Sequence, residues 1–175
     1  MKKIFFLFVL AFICSSSYAQ LVTSSRVSVE KKPSAIWLDL GVGGFSGDVS
    51  NTGLGVDLGL RWNKPFSDNI SWDIIKVKAE TDTKNFTDLL MAQATTGIRG
   101  TTPNLFGNSS IFGAASVGYG YLFDPEEGGV CWEISAGINI TPRFLIGVAY
   151  NNQAVNIDDY SMHVNYISLR LGINL

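Results

Sequence analysis

The sequence has no apolar run long enough to cross a membrane as a helix. Such a helix needs about 18 consecutive apolar residues. The run near the amino terminus, from Ile4 to Cys14, falls well short of that length, and no later segment approaches it. A membrane-spanning helix is therefore not expected. If this chain enters a membrane, it must do so as β-strands.

Cysteine is also scarce, with only Cys14 and Cys131 among 175 residues. Cys14 lies in an amino-terminal segment that we expect to be cleaved off, so the mature chain keeps one cysteine. An internal disulfide is then excluded, and other interactions must hold the fold together. We expect Cys131 to be a buried, unreactive thiol, because no histidine lies near it in sequence.

The chain has no excess of basic residues: 13 Lys and Arg stand against 15 Asp and Glu, a net charge of -2 at pH 7. This balance gives no reason to expect a nucleic-acid partner. Histidine occurs once, as His163, near Asp158 and Asp159. A His–Asp pair could activate water if Glu126 or Asp82 supplied a second acid. We nevertheless expect no enzyme activity, no cofactor and no metal site.

The amino terminus has two lysines, an apolar run and a small-residue site ending at Ala19, which is typical of a secretory signal peptide. A lipoprotein anchor on Cys14 is the alternative, but Ile13 is a poor neighbour for that cleavage. The chain thus divides into three predicted parts: a signal peptide (1–19), a polar segment (20–33) and one domain (34–175).

What the domain has in abundance is alternation of apolar with small or polar residues, the pattern of a β-strand. In the second run, for example, Leu54, Val56 and Leu58 alternate with Gly55 and Asp57. Eight such runs follow one another: 35–45, 51–62, 69–80, 89–100, 110–123, 129–140, 144–151 and 165–175. In the third, the pattern changes parity at Ile74 and Ile75, which predicts a β-bulge.

Strands of about ten residues have the length that crosses a bilayer at a tilt of about 45°. An even number of strands places both chain ends on the same side. The connections, such as 63–69, 101–109, 124–129 and 151–160, are rich in Asn, Asp, Gly and Pro, which favour turns. The sequence therefore predicts an all-β protein, an eight-stranded antiparallel up-and-down transmembrane β-barrel.

The less apolar face of these strands suits a barrel interior better than a water-exposed surface, because Gly, Ser, Ala and Asn dominate it. Its charges occur in nearly equal numbers, and charges removed from water must be paired. We therefore predict ion pairs inside a lumen filled by its own side chains. The predicted network comprises Asp39, Asp57, Asp73, Glu133, Arg61, Lys76, Lys78, Arg99 and Arg170. Ordinary exposed strand charges are the alternative.

Aromatic residues on the apolar face are predicted to form two girdles at the membrane interfaces. One, near the periplasmic rim, comprises Trp62, Trp72 and Phe144. The other, near the external rim, comprises Tyr119, Tyr121, Trp132 and Tyr150. Trp37 points inward instead and would fill the base of the lumen.

The connections at the two rims differ in charge. The periplasmic side is mainly basic, with Arg26, Lys31, Lys32, Lys64 and Arg143 against Glu30 and Asp68. The external side is acidic, with Lys84 against Asp48, Glu80, Asp82, Asp88, Asp124, Glu126, Glu127, Asp158 and Asp159. Such a rim would attract cations, including the divalent ions that bridge lipopolysaccharide phosphates, although plain solvated loops are the simpler interpretation.

The signal peptide, the eight alternating strands and the last strand, "YISLRLGINL", resemble the small eight-stranded outer-membrane β-barrel proteins of Gram-negative bacteria, the OmpA/OmpX-like and porin-like group. The resemblance covers residues 34–175. It implies an outer-membrane location with both termini in the periplasm, contact with lipid and lipopolysaccharide, and a last strand read by the barrel-assembly machinery. That family usually ends on Phe, whereas this chain ends on Leu175.

Taken together, these features predict a monomeric, non-enzymatic barrel with a role in envelope structure or surface interaction through acidic external loops. Three other functions remain open from the sequence: a narrow porin-like channel for small solutes, an exported soluble lipocalin-like binding protein, and a rim enzyme centred on His163. The ligand or partner stays undetermined.

Overall fold

The computed structural model describes residues 34–48, 53–84, 89–105, 109–124, 126–157 and 160–175. The predicted signal peptide (1–19) and the segment 20–33 lie outside these ranges. Among the described residues, no helix is both long and apolar enough to cross a membrane.

Eight β-strands form one closed barrel in which each strand pairs antiparallel with its neighbours in sequence, and the last pairs with the first. The fold predicted from the sequence is thereby confirmed. The strands are β1 Ala35–Gly47, β2 Leu54–Pro65, β3 Ile70–Asp82, β4 Leu90–Thr101, β5 Ser110–Leu122, β6 Glu127–Thr141, β7 Phe144–Ile157 and β8 Tyr160–Asn174.

Two ends of the barrel can be distinguished by the connections they carry. The terminal end holds the start of β1, the end of β8 and the β2–β3, β4–β5 and β6–β7 connections; the loop end holds the other four connections. At the loop end the prediction of a long connection over 151–160 was wrong. Strand β7 continues to Ile157, because Gln153 and Val155 keep the inward alternation and are fully buried.

The strands are staggered round the barrel. From Trp37 on β1, successive Cα partners are Arg61, Lys76, Thr95, Gly118, Cys131, Gln153 and Val164, and Val164 pairs with Gly47 on β1. The circuit therefore returns to β1 ten residues beyond its starting point, Trp37 to Gly47. This stagger, or shear, tilts every strand relative to the barrel axis.

The predicted bulge is present in β3. Asp73 pairs with Asn63 and Ile75 pairs with Trp62, so Ile74 is the extra residue. On the adjacent strand, the Thr96 hydroxyl donates a hydrogen bond of 3.0 Å to the carbonyl oxygen of Asp73. Because the bulge adds one residue, the lysines that follow it point into the lumen.

The apolar face of the strands points outward and the polar face points inward. Among the outward side chains, Leu58 is 53% exposed, Ile134 51% and Leu171 42%. By contrast, Glu133 and Lys76 are buried inside the barrel. This polarity is the reverse of that of a water-soluble barrel.

Several inward glycines allow neighbouring backbone to approach closely, and Gly118 on β5 is one of them. A Cβ atom there would clash with the carbonyl oxygen of Ala94 and lie 2.6 Å from the Cα of Thr95. Gly113, on the same strand but pointing outward, has no atom within 4 Å of the corresponding position.

These two glycines give a matched stability test. Gly118→Ala should lower the free energy of unfolding by about 1–3 kcal/mol, since backbone must shift to admit the methyl group. Gly113→Ala should leave it unchanged or slightly raised. Urea unfolding of both variants in detergent micelles checks this, and equal losses would contradict the close packing at Gly118.

Candidate functional site

The centre of the lumen is organised around the carboxylate of Glu133 on β6. Lys76 Nζ lies 2.5 Å from its Oε1, and Lys78 Nζ lies 2.9 Å from its Oε2. Arg170 on β8 donates to both oxygens, from Nη1 at 2.7 Å and Nη2 at 3.1 Å. Three cations from two other strands therefore converge on one anion, and all four side chains are buried.

A second group of charges lies nearer the terminal end. Arg61 donates to both carboxylate oxygens of Asp39, at 3.2 and 3.3 Å, and its Nη1 lies 3.6 Å from Asp73 Oδ1. Arg99 is 3.9 Å from the other oxygen of Asp73. Trp37 points inward and lies under the Arg61 guanidinium, 5.2 Å away. The planar cations thus contact both carboxylates and aromatic faces.

Asp57 and Glu80 face each other across β2 and β3 on the loop-end side of Glu133. Lys78 Nζ is 2.5 Å from Glu80 Oε1, and Arg170 Nε is 3.6 Å from Asp57 Oδ1. Lys78 and Arg170 therefore bridge this acidic pair to Glu133.

The prediction that Glu80 and Asp82 belong to an external connection was wrong. Both lie on β3, and they are 0% and 4% exposed. The cause is the length of β3, which keeps its inward parity through Lys78 to Asp82. Glu80 therefore belongs to the lumen charges, and the Asp82 carboxylate accepts a hydrogen bond of 2.7 Å from the Lys84 backbone N–H.

A layer of amides lies beyond the charges, and sequence reasoning missed it as a unit. Gln93 Nε2 donates to Gln153 Oε1 at 2.9 Å, and Asn151 Nδ2 donates to Gln93 Oε1. All three side chains are buried. The alternation of β7, followed past Tyr150, would have placed Asn151 and Gln153 inside.

The loop end of the lumen is closed by an apolar cluster, which we call the apolar plug. The rings of Phe45 and Tyr166 lie 4.5 Å apart within it. Its buried members are Phe45, Leu89, Met91, Leu122, Val155, Val164 and Tyr166, with Met162 packed against them. The signal for it was the presence of apolar residues at inward positions near the strand ends.

The aromatic residues assigned to the girdles all point away from the lumen. Trp62, Trp72 and Phe144 lie at the terminal end, where Phe66 stacks on Trp72 with centroids 6.1 Å apart. Tyr119, Tyr121, Trp132 and Tyr150 lie toward the loop end. The four loop-end residues of the predicted girdle all lie on β5, β6 and β7, so within this set their arrangement round the barrel is uneven.

Residues at the loop-end rim are only partly described. Asp48, Lys84, Asp124 and Glu126 are exposed, whereas Asp88, Asp158 and Asp159 lie outside the described ranges. His163 is on β8 rather than in a connection, and its backbone N–H donates to Asp48 Oδ2 at 2.8 Å. Asp48 thus fastens the end of β1 to β8 through the backbone of His163.

Within the described part of the chain, no group of three or more His, Cys, Asp or Glu side chains is placed to hold a metal ion. Cys131 is a free, fully buried thiol. Chemically, the described interior is a stack of ion pairs, amides and apolar side chains.

Comparison with known proteins identifies the class of fold. No protein-family model and no curated protein matches the sequence. Among solved structures, Neisserial surface protein A superposes with a TM-score of 0.63 at 11% identity, over 81% of this chain and 97% of that one. The outer membrane enzyme PagL superposes with a TM-score of 0.61 at 12% identity, over 79% and 99%.

These likenesses show the fold, which is that of a small eight-stranded outer-membrane β-barrel, as the sequence predicted. At identities this low, the structural likeness does not indicate that this chain shares the activity of either protein. One of the two neighbours is an enzyme by its name, so the shared barrel does not decide whether this chain has catalytic function.

A single substitution of similar size in the charge cluster should strongly reduce the stability of the barrel. Glu133→Gln keeps the size of the side chain but leaves Lys76, Lys78 and Arg170 without their shared anion. We expect the free energy of unfolding to fall by about 3–5 kcal/mol, the usual cost of removing one partner from a buried ion pair.

The matched control is Glu126→Gln, the same replacement at an exposed turn residue, which should change stability by less than about 0.5 kcal/mol. Chemical unfolding of wild type and both variants in the same lipid or detergent provides the measurement. If Glu133→Gln and Glu126→Gln behaved alike, the lumen charges would not be held as an obligatory network.

Proposed function

We propose that this protein is an integral outer-membrane β-barrel without enzymatic activity, which serves the cell envelope as a closed structural element and makes surface contacts through its loop end. The observation that carries the proposal is the inverted polarity of the barrel. Apolar side chains cover the outside while charges and amides fill the inside. In this arrangement the loop end faces outward from the cell and the terminal end faces the periplasm.

A bilayer is the environment that fits this outer surface. All backbone hydrogen bonds of a membrane-spanning segment must be made within the protein, and a closed barrel makes them between strands. In water, the band of outward Leu, Ile, Val and aromatic side chains would form an apolar surface far larger than monomeric soluble proteins tolerate. Inside lipid, the same band is stabilising.

The soluble-binder alternative finds little support in the interior. A lipocalin-like protein needs an apolar cavity that can admit a ligand. Here the centre is occupied by Glu133 and its three cations, and the loop end is filled by the apolar plug.

A channel finds little support either, because a pathway for solutes needs continuous water. The apolar plug crosses the lumen at the loop end, and salt bridges cross it at the centre. Displacing either layer would expose buried charges or apolar groups without partners. We therefore propose a barrel that does not conduct.

The loop end then carries whatever contact the protein makes. Its described exposed charges are mainly acidic: Asp48, Asp124 and Glu126 against Lys84. Such a rim would attract divalent cations and, through them, lipopolysaccharide phosphates. We also propose a monomer whose last strand, β8, is recognised by the barrel-assembly machinery before it closes on β1.

The membrane assignment is tested by fractionation of expressing cells and by gel migration with and without heating. We expect the protein in the outer-membrane fraction and a shift in migration when heat unfolds the barrel. Purified protein in planar bilayers should show no stepwise conductance. Recovery from the soluble periplasmic fraction would overturn the proposal, and reproducible channel steps would replace its structural role with transport.

The role is tested by complementation of a deletion strain. Loss of the gene should raise sensitivity to detergents, and both wild type and His163→Ala should restore resistance, because the His163 side chain has no role in the proposal. A double variant, Asp124→Asn with Glu126→Gln, should restore it less well. If His163→Ala folded but failed to complement while the double variant succeeded, a rim enzyme would be the better account.

A further inference from the structure

The polarity of the wall changes along the β7–β8 hairpin. Near the middle of these strands the outward residues are apolar, with Val148 55% and Ile167 56% exposed. Toward the loop end the outward side chains become Asn152, Asn165 and His163. Asn165 Oδ1 accepts hydrogen bonds from Asn152 Nδ2 at 2.7 Å and from the Tyr150 hydroxyl at 2.8 Å.

At the same place the inward side chains change in the opposite sense. On the terminal-end side of this change β8 presents Ser168 and Arg170 to the lumen. On the loop-end side it presents Tyr166 and Val164, which belong to the apolar plug. The loop end of β8 is thus apolar inside and polar outside, like a soluble protein, whereas its register partners on β7, Asn151 and Gln153, remain polar inside. This pattern indicates a wall that has left the bilayer and stands in water.

The β5–β6 hairpin shows no such change on its outer face. Toward the loop end its outward residues are Tyr119, Tyr121, Phe123 and Val130, exposed by 59, 38, 49 and 60%. The rings of Tyr121 and Phe123 pack edge to face, with centroids 5.4 Å apart. Leu122 between them points into the apolar plug, so the wall here is apolar on both faces.

The shear shows which residues of the two hairpins lie at the same height. The full circuit of eight strands rises by ten residues toward the loop end. Each step from a residue to its partner on the next strand therefore rises by about 1.25 residues. From Gly118 three steps lead through Cys131 and Gln153 to Val164. Val164 therefore lies about four residues nearer the loop end than Gly118. Ser168, four residues farther along β8 toward the terminal end, is level with Gly118.

The outward residues above that level, toward the loop end, form three pairs of equal height. They are Tyr119 with Ile167, Tyr121 with Asn165, and Phe123 with His163. The first pair is apolar on both sides. In the other two an aromatic side chain on the β5–β6 hairpin corresponds to a polar side chain on β8. The apolar belt therefore extends about four residues farther on one side of the barrel than on the other.

Resting on the proposed membrane location, we infer that the loop end meets the bilayer surface obliquely. Lipid covers the outer face of β5–β6 up to Phe123, while β7–β8 enters water just beyond Ile167. Lipid is the occupant because the aromatic patch continues without a polar break from Val117 and Ile134 in the lipid-facing belt. Its upper edge is set by the exposed acids Asp124 and Glu126.

Depth measurements at matched positions test this inference. Single cysteines are introduced by Phe123→Cys and His163→Cys in a background that carries Cys14→Ala and Cys131→Ala, and labelled with a polarity-sensitive fluorophore. Should that background fail to fold, Cys131 can be kept, because it is fully buried. The labelled full chains are inserted into phosphatidylcholine vesicles and quenched either by iodide in water or by nitroxides on the lipid chains near the headgroup.

We expect the label at position 123 to be quenched several-fold more by lipid nitroxide than the label at position 163, and the order to reverse with iodide. Equal quenching at both positions would overturn the inference in favour of a level boundary. Protection of position 123 from both quenchers would also overturn it, since protein would then cover the patch.

Two further labels distinguish failure of the oblique boundary from failure of the membrane location on which it rests. A label at Leu58→Cys, in the middle of the belt, should be reached only by lipid nitroxide, and one at Glu126→Cys only by iodide. If the Leu58 label were open to iodide, the membrane location itself would fail. If it lay in lipid while position 123 lay in water, only the oblique boundary would fail.

Discussion

Glu133 joins strands that lie on different sides of the barrel, because its carboxylate contacts Lys76 and Lys78 from β3 and Arg170 from β8. In a barrel of eight strands the interior is only wide enough for side chains, so inward charges from neighbouring and from distant strands meet there. Charges in such a place are stable only when paired. The rest of the structure follows from this demand: small residues fill the wall between the charges, and apolar residues face out.

The interior is layered along its axis. Arginine–aspartate pairs lie at the terminal end, the cluster around Glu133 at the centre, then the amides of Gln93 and Gln153, and last the apolar plug. The order passes from the most polar groups to the least. The plug therefore lies where the wall nears the loop end, and it completes a core that continues out of the membrane zone on the β7–β8 side.

A closed interior limits where function can reside. For the non-conducting barrel proposed above, contacts with other molecules are expected at the rims or on the lipid-facing surface. The fold itself does not decide among roles, since a neighbour of the same architecture is an enzyme. The residues of the loop end, and not the barrel, would distinguish a structural protein from a binding protein.

The sequence by itself determined the number of strands, their faces, the bulge at Ile74 and the inward position of the charges, because alternation with a period of two is a local property of the chain. It did not determine where β3 and β7 end, so Glu80 and Gln153 were taken for loop residues. Nor could it show which charges pair, that apolar side chains close one end, or that the belt is uneven. Those features depend on register and shear, which join residues far apart in the chain and exist only once the barrel has closed.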